Sequence, residues 1–239
     1  MVWGFITAFM SKLRICAMEG DASQIAALLS SKALRIHNVV HNNVIHNVPP
    51  ESNEEAEALH FAAARGHAAV VEVLIAAGAG VNQIFPGGSA LHAAVMGNYP
   101  KVVALLLAAG AKPDLSDRAL DSSQQGWTAL MYAACYGRTE IAHQLLQAGA
   151  QPDLADRDGQ TPLMIAAHAG HTAVALLLLE AGAQLTIQDH YGNTALACAL
   201  GPDCESLAQL IAQRAENELK ATTQPPTMTY RCPQLASPY

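Results

Sequence analysis

One stretch of this sequence repeats itself in phase, and that period limits the fold more than any other property. Leu59 opens LHFAAARGH, Leu91 opens LHAAVMGNY, Leu130 opens LMYAACYGR and Leu163 opens LMIAAHAGH. The leading leucines are 32, 39 and 33 residues apart, and Leu196 follows after another 33. Each of the first four is followed 19 positions later by a glycine: Gly78, Gly110, Gly149 and Gly182. A period of this length marks supersecondary units that cannot bury their apolar faces alone and must stack.

The chemistry of one unit is readable directly. Thr161-Pro162 predicts a helix start, because the threonine hydroxyl caps free N–H groups and proline fits the first turn. Thr128, Thr194 and Ser89 stand at the same place. The short helix closes at Gly66, Asn98, Gly137 or Gly170, residue types that accept left-handed backbone angles. A second apolar helix follows, and the glycine 19 positions after the leucine stops it. Polar segments such as AQPDLADRDGQ, with its turn at Asp158-Gly159, then lead to the next unit. Alanine fills 46 of 239 positions and aromatics only 5%, which suits a core of closely approaching helices.

These in-phase features resemble the ankyrin repeat, over roughly residues 10–215. The resemblance implies an all-α solenoid of about six stacked helix-turn-helix units with short β-hairpin loops. LRICAMEGDASQIAALLS from Leu13 reads as the first unit and LACALGPDCESLAQLIAQR from Leu196 as the last. Atypical outer units are expected where a stack meets water. The signature histidine survives as His60 and His92 but is Met131, Met164 and Ala197 elsewhere. Those replacements should weaken polar ties between units without preventing stacking.

Two insertions interrupt the period, near residues 33–53 and 115–125. The expected organisation is an apolar extension at 1–10, a repeat domain at 11–215 and a disordered tail at 216–239. The tail is rich in Pro and Thr and lacks helical periodicity.

Several functions are disfavoured. A net charge of −7 does not suit a nucleic-acid binder, which needs a basic surface. Five cysteines, with no CxxC, fit neither a disulfide framework nor a zinc ribbon, and suit a cytoplasmic protein. No GxSxG, P-loop, GxGxxG or HExxH is present. Cys135 and Cys198 fall at small-residue positions of the repeat and read as inert packing residues. His37, His41 and His46 share an insertion with Glu51, Glu54 and Glu55, but neither a helix nor a strand puts all three histidines on one face. No cofactor or metal is therefore assigned. A metal-dependent enzyme using segment 37–55 is kept as an alternative, as is a membrane-associated adaptor held by residues 1–10.

The resemblance implies non-catalytic binding of a protein partner by a monomer, through a concave face of hairpin tips and first helices. The family's variable positions fall here on Trp127 and Tyr136 of the fourth unit, with Gln124, Gln125 and Cys135. In the fifth they fall on Arg157, Asp158 and His168, with Gln160 and Ala169. His190, Tyr191 and Asn193 open the sixth, while Arg65, Ala64 and Met96 serve earlier units. Of these, Trp127, Tyr136, Arg157, Asp158, His168, Tyr191, Met96 and Arg65 are the expected partner-binding residues, since Trp, Tyr and Arg dominate binding hot spots. Asn82 sits where the family carries an asparagine that can be hydroxylated; it reads first as a loop-closing residue.

Overall fold

In the computed structural model, the described residues are 2–30, 54–117, 126–199 and 205–223, with side chains described from 11 to 216. They form twelve helices: α1 (Val2–Glu19), α2 (22–30), α3 (Glu54–Arg65), α4 (Ala68–Ala76), α5 (Ala90–Met96), α6 (Pro100–Ala108), α7 (Ala129–Cys135), α8 (Thr139–Gln147), α9 (Pro162–His168), α10 (Thr172–Glu180), α11 (Ala195–Cys198) and α12 (Glu205–Thr223).

The helices make two rows. First helices α1, α3, α5, α7, α9 and α11 touch in sequence, and second helices α4, α6, α8 and α10 form a parallel row. Each pair α3–α4, α5–α6, α7–α8 and α9–α10 closes on itself. The period follows from this. Leu59, Leu91, Leu130 and Leu163 are all buried, and so are Leu74, Leu106, Leu145 and Leu178 of the second helices. Alanines such as Ala62, Ala94, Ala133 and Ala166 are fully enclosed between first helices, where a larger side chain would hold the rows apart.

Helix starts form as the sequence predicts. The hydroxyls of Thr128, Thr161 and Thr194 accept from the backbone N–H three residues on, in Met131, Met164 and Ala197. At Ser89 the cap is reciprocal: the Ser89 N–H donates to His92 Nδ1 at 3.1 Å. His92 Nε2 then donates to the carbonyl of Trp127 in the next unit at 3.2 Å. Met131 takes the histidine's place one unit later, with its sulfur 3.4 Å from the Thr128 nitrogen.

Units are also tied by residues four positions after each helix-stopping glycine. Asn82 Oδ1 accepts from Lys112 N at 2.8 Å and its Nδ2 donates to the Gly110 carbonyl. Asp114 accepts from Gln151 N at 3.0 Å, and Asp153 from Gln184 N at 2.9 Å. Asn82 is thus a loop-closing rung between units. A third ladder runs along the helix turns. His67 donates to the Met18 carbonyl and His171 to the Cys135 carbonyl, both at 3.0 Å.

Some expectations need correcting. The tips are hairpin-like turns rather than strand pairs. Among the described residues extended pairing is limited to isolated bridges at Phe85–Gly88 and Ser116–Thr128. The tips of the last three units close on the buried aspartates Asp117, Asp156 and Asp189, which supply the turn's acceptors. Residues 2–10 continue into α1 without a break, so the apolar extension is the first part of that helix. Helix α12 runs to Thr223, past the boundary expected at 215, because ENELKA is built of good helix formers. Leu196 is 39% exposed, unlike its buried counterparts, as befits the outermost unit. The insertion residues 31–53 and 118–125 and tail residues 224–239 lie outside the described residues, so the readings of His37, His41, His46, Gln124 and Gln125 do too.

The His92 arrangement carries a pH prediction. Burial pushes its imidazole below the ordinary value, against the weaker opposing effects of the Trp127 carbonyl and Asp117. His60 is lowered for the same first reason. A proton on His92 Nδ1 would also break the Ser89 N–H bond. The unfolded chain therefore binds protons first as pH falls below about 6.5, and stability is lost in that direction. The slope from His92 should not exceed about 1.4 kcal/mol per pH unit. Urea midpoints at pH 7.5, 6.5 and 5.5 should fall for wild type and fall less steeply for His92→Gln; equal slopes would show that His92 does not carry the effect.

Candidate functional site

Six of the eight expected binding residues, Trp127, Tyr136, Arg157, Asp158, His168 and Tyr191, belong to the tips and first-helix ends of the last three units. Each tip is organised by a buried aspartate. Asp156 Oδ1 accepts from the N–H groups of Asp158 and Gln160 at 2.9 and 2.8 Å. Asp189 Oδ1 accepts from Tyr191 and Asn193 at 2.9 and 2.8 Å, and its Oδ2 accepts from Asn193 Nδ2 at 3.0 Å. Burial opposes ionisation at Asp189, but the Asn193 and Tyr191 bonds overcome it and hold the carboxyl below its usual range. Asp117 does the same work across the 118–125 insertion, accepting from Trp127 N at 2.7 Å. Gly126, Gly159 and Gly192 complete these turns at positive φ.

Trp127 is half-buried and held on several sides. Its indole Nε1 donates to Asp156 Oδ2 of the next tip at 2.9 Å. Its ring meets Tyr132 edge-on with centroids 5.1 Å apart. The Tyr132 hydroxyl donates to Asp117 Oδ2 at 2.7 Å; burial, then that bond, push its pKa up. The indole is therefore both a tie between units and a wall of the surface. Expected as a partner contact, the indole also ties the fourth unit to the fifth.

That wall bounds a groove of about 760 Å³. Trp127, His168 and Tyr191, from three successive units, all line it, together with Gln160, Asn193 and the apolar Met164 and Ile165. Tyr191 is 77% exposed and His168 is exposed. Cys135 and Cys198 also border the groove, but burial raises both thiols, so they stay protonated at neutral pH and are poor nucleophiles.

The remaining expected residues are not brought together there. Tyr136 is 46% exposed, stacked on Tyr132 with Arg138 over its ring, and lies outside the groove lining. Arg157 is exposed and Asp158 half-buried at the fifth tip, where the Asp158 carbonyl accepts from His190 N at 2.9 Å. Exposed Arg65 and half-buried Met96 belong to the second and third units, away from the groove. Sequence reasoning missed Asp117, Asp156 and Asp189. Their signal was present: Asp156 and Asp189 both stand seven residues before a repeat leucine. Among the described residues, no group of three His, Cys, Asp or Glu side chains could hold a metal ion.

Asp156 carries three bonds and joins two units, so its loss should be felt in both. Asp156→Ala is expected to lower stability by about 1.5–3 kcal/mol, the scale of a bond to a charged group. It should also release the Trp127 indole, shifting its fluorescence to longer wavelength; an unchanged spectrum would contradict the bridge.

The family model for ankyrin repeats (3 copies) matches residues 13–117 and 130–221. The chain belongs to the ankyrin-repeat family. Members of this family generally serve as protein–protein interaction modules and are typically non-catalytic. Compared with curated proteins, the chain matches none. Among the described residues no helix is long and apolar enough to cross a membrane.

Proposed function

We propose that this protein is a non-catalytic binding module that holds a protein partner along the face of its fourth to sixth units. The observation that carries the reading is the groove in which Trp127, His168 and Tyr191 converge from three successive repeats. Such a surface has a fixed aromatic wall at Trp127 and an exposed ring at Tyr191, with polar groups between them. Partner interfaces concentrate their energy in anchors of that kind. To the same face we assign Arg157, Asp158 and Tyr136 as its rim, and Arg65 and Met96 as its extension toward the earlier units. In this family that face is concave. We place the protein in the cytoplasm as a monomer; the free thiols of Cys16, Cys135 and Cys198 suit the first part of that reading.

The test is affinity capture by wild type and by Tyr191→Ala, with thermal unfolding measured on both. Tyr191 is the cleaner probe than Trp127, whose indole ties two units together. Loss of an anchoring ring should weaken partner capture by about 2 kcal/mol while leaving the melting temperature in place. Capture that survives Tyr191→Ala and His168→Ala together would remove the groove from the binding face.

A further inference from the structure

We propose that the groove takes an uncharged, proline-rich segment in the polyproline II conformation, at one turn of the segment per repeat. The proposal rests on the partner-binding reading above and names the class of segment bound.

Charge is the first argument. Among the described residues, the groove lining contains no Lys, Arg or Glu. Its carboxylate, Asp189, is committed to the Tyr191 and Asn193 N–H groups and to Asn193 Nδ2. Within that described lining a strongly acidic or basic segment meets no Lys, Arg or Glu; Arg157 and Asp158, assigned to the rim, stand outside it.

Hydrogen bonding is the second. The side chains of Gln160, His168 and Tyr191 bring N–H and O–H donors to the lining. A polyproline II chain has no internal hydrogen bonds, so all its carbonyls can accept. Proline has no N–H, so it leaves no donor unmet when it enters. An ordinary extended peptide would instead need a strand edge to satisfy its own N–H groups. Among the described residues pairing is limited to isolated bridges, which form no such edge.

Pitch is the third. Trp127, Gln160 and Asn193 each follow a turn glycine, so the groove presents one equivalent position per unit. Packed helices stand about 8–10 Å apart. Polyproline II repeats every three residues, about 9 Å. A β-strand returns to the same face after about 6.7 Å and an α-helix after about 5.4 Å, so neither stays in step. The Trp127 wall and the exposed Tyr191 ring supply the aromatic surface on which prolines dock.

The experiment uses the full chain and a fluorescent, end-capped nonaproline, about three turns long. Its affinity is compared with capped nonamers of Gly-Ser and of Pro interrupted by Lys or Glu. Nonaproline should bind about tenfold more tightly than the Gly-Ser peptide. Tyr191→Ala and Gln160→Ala should each weaken it about tenfold at unchanged melting temperature, and Leu176→Ala on α10 should not. Equal affinity for Gly-Ser, or preference for a charged peptide, overturns the proposal. So does self-association of the chain that Tyr191→Ala abolishes, since the occupant would then be a second copy. If a protein partner is captured through Tyr191 but nonaproline does not bind, the segment class is wrong and the site stands. If neither binds through Tyr191, both readings fall.

Discussion

Leu163→Ala is expected to cost about 2–5 kcal/mol, the range for truncating a fully enclosed leucine that its surroundings cannot refill. Leu163 is 0% exposed and sits on α9, which packs against α7, α10 and α11. Units in a stack feel only their neighbours, so the damage should be graded along the chain. Amide exchange should accelerate most in α7 to α11 and least in α1 and α3. Uniform acceleration would mean that the chain unfolds as one cooperative block. Unchanged protection around Leu163 would contradict its place in the core.

The second large effect is expected at Gly66, which ends α3 at φ +75°. A methyl group there meets two penalties. The left-handed backbone itself costs about 1–2 kcal/mol for a residue bearing a Cβ. That Cβ would also lie 2.5 Å from Cδ1 of Tyr99, the ring of the next unit that packs over the turn. Tyr99 is half-buried and packed against the core, so displacing its ring would disturb that packing. Overpacking of this kind adds about 1–3 kcal/mol. Gly78 provides the control. Its φ is +87°, but a Cβ there meets nothing within 4 Å. Gly66→Ala should therefore lower the urea midpoint well beyond Gly78→Ala. Equal losses would show that backbone strain, not the approach of Tyr99, sets the glycine requirement.

The same comparison explains what could be read from the amino acids alone. The period of leucines and glycines encodes backbone geometry and burial, so the stack, the helix caps and the helix ends were legible. Of the eight residues expected to bind, Trp127, His168 and Tyr191 line one groove, while the other five do not. What pairwise spacing could not convey was how side chains are used across units. Trp127 looked like a surface ring; its indole instead spans to Asp156, 29 residues on. Asp117 was hidden because the insertion moves it ten residues before its Trp127 partner rather than four, as in the later tips. Asn82 was placed correctly as a loop-closing residue, yet its bond to Lys112 of the next unit depends on stacking and is not a local property.

The proposed protein partner lies across the tips and first helices of the fourth to sixth units. Hydrogen exchange of the full chain with and without its captured partner tests this most directly. Exchange is expected to slow in segments 157–169 and 189–198, which bear Arg157, His168, Tyr191 and Asn193, with little change in α4, α6, α8 and α10. Slowing confined to those second helices, with segments 157–169 and 189–198 unaffected, would place the partner on the opposite face and contradict the account.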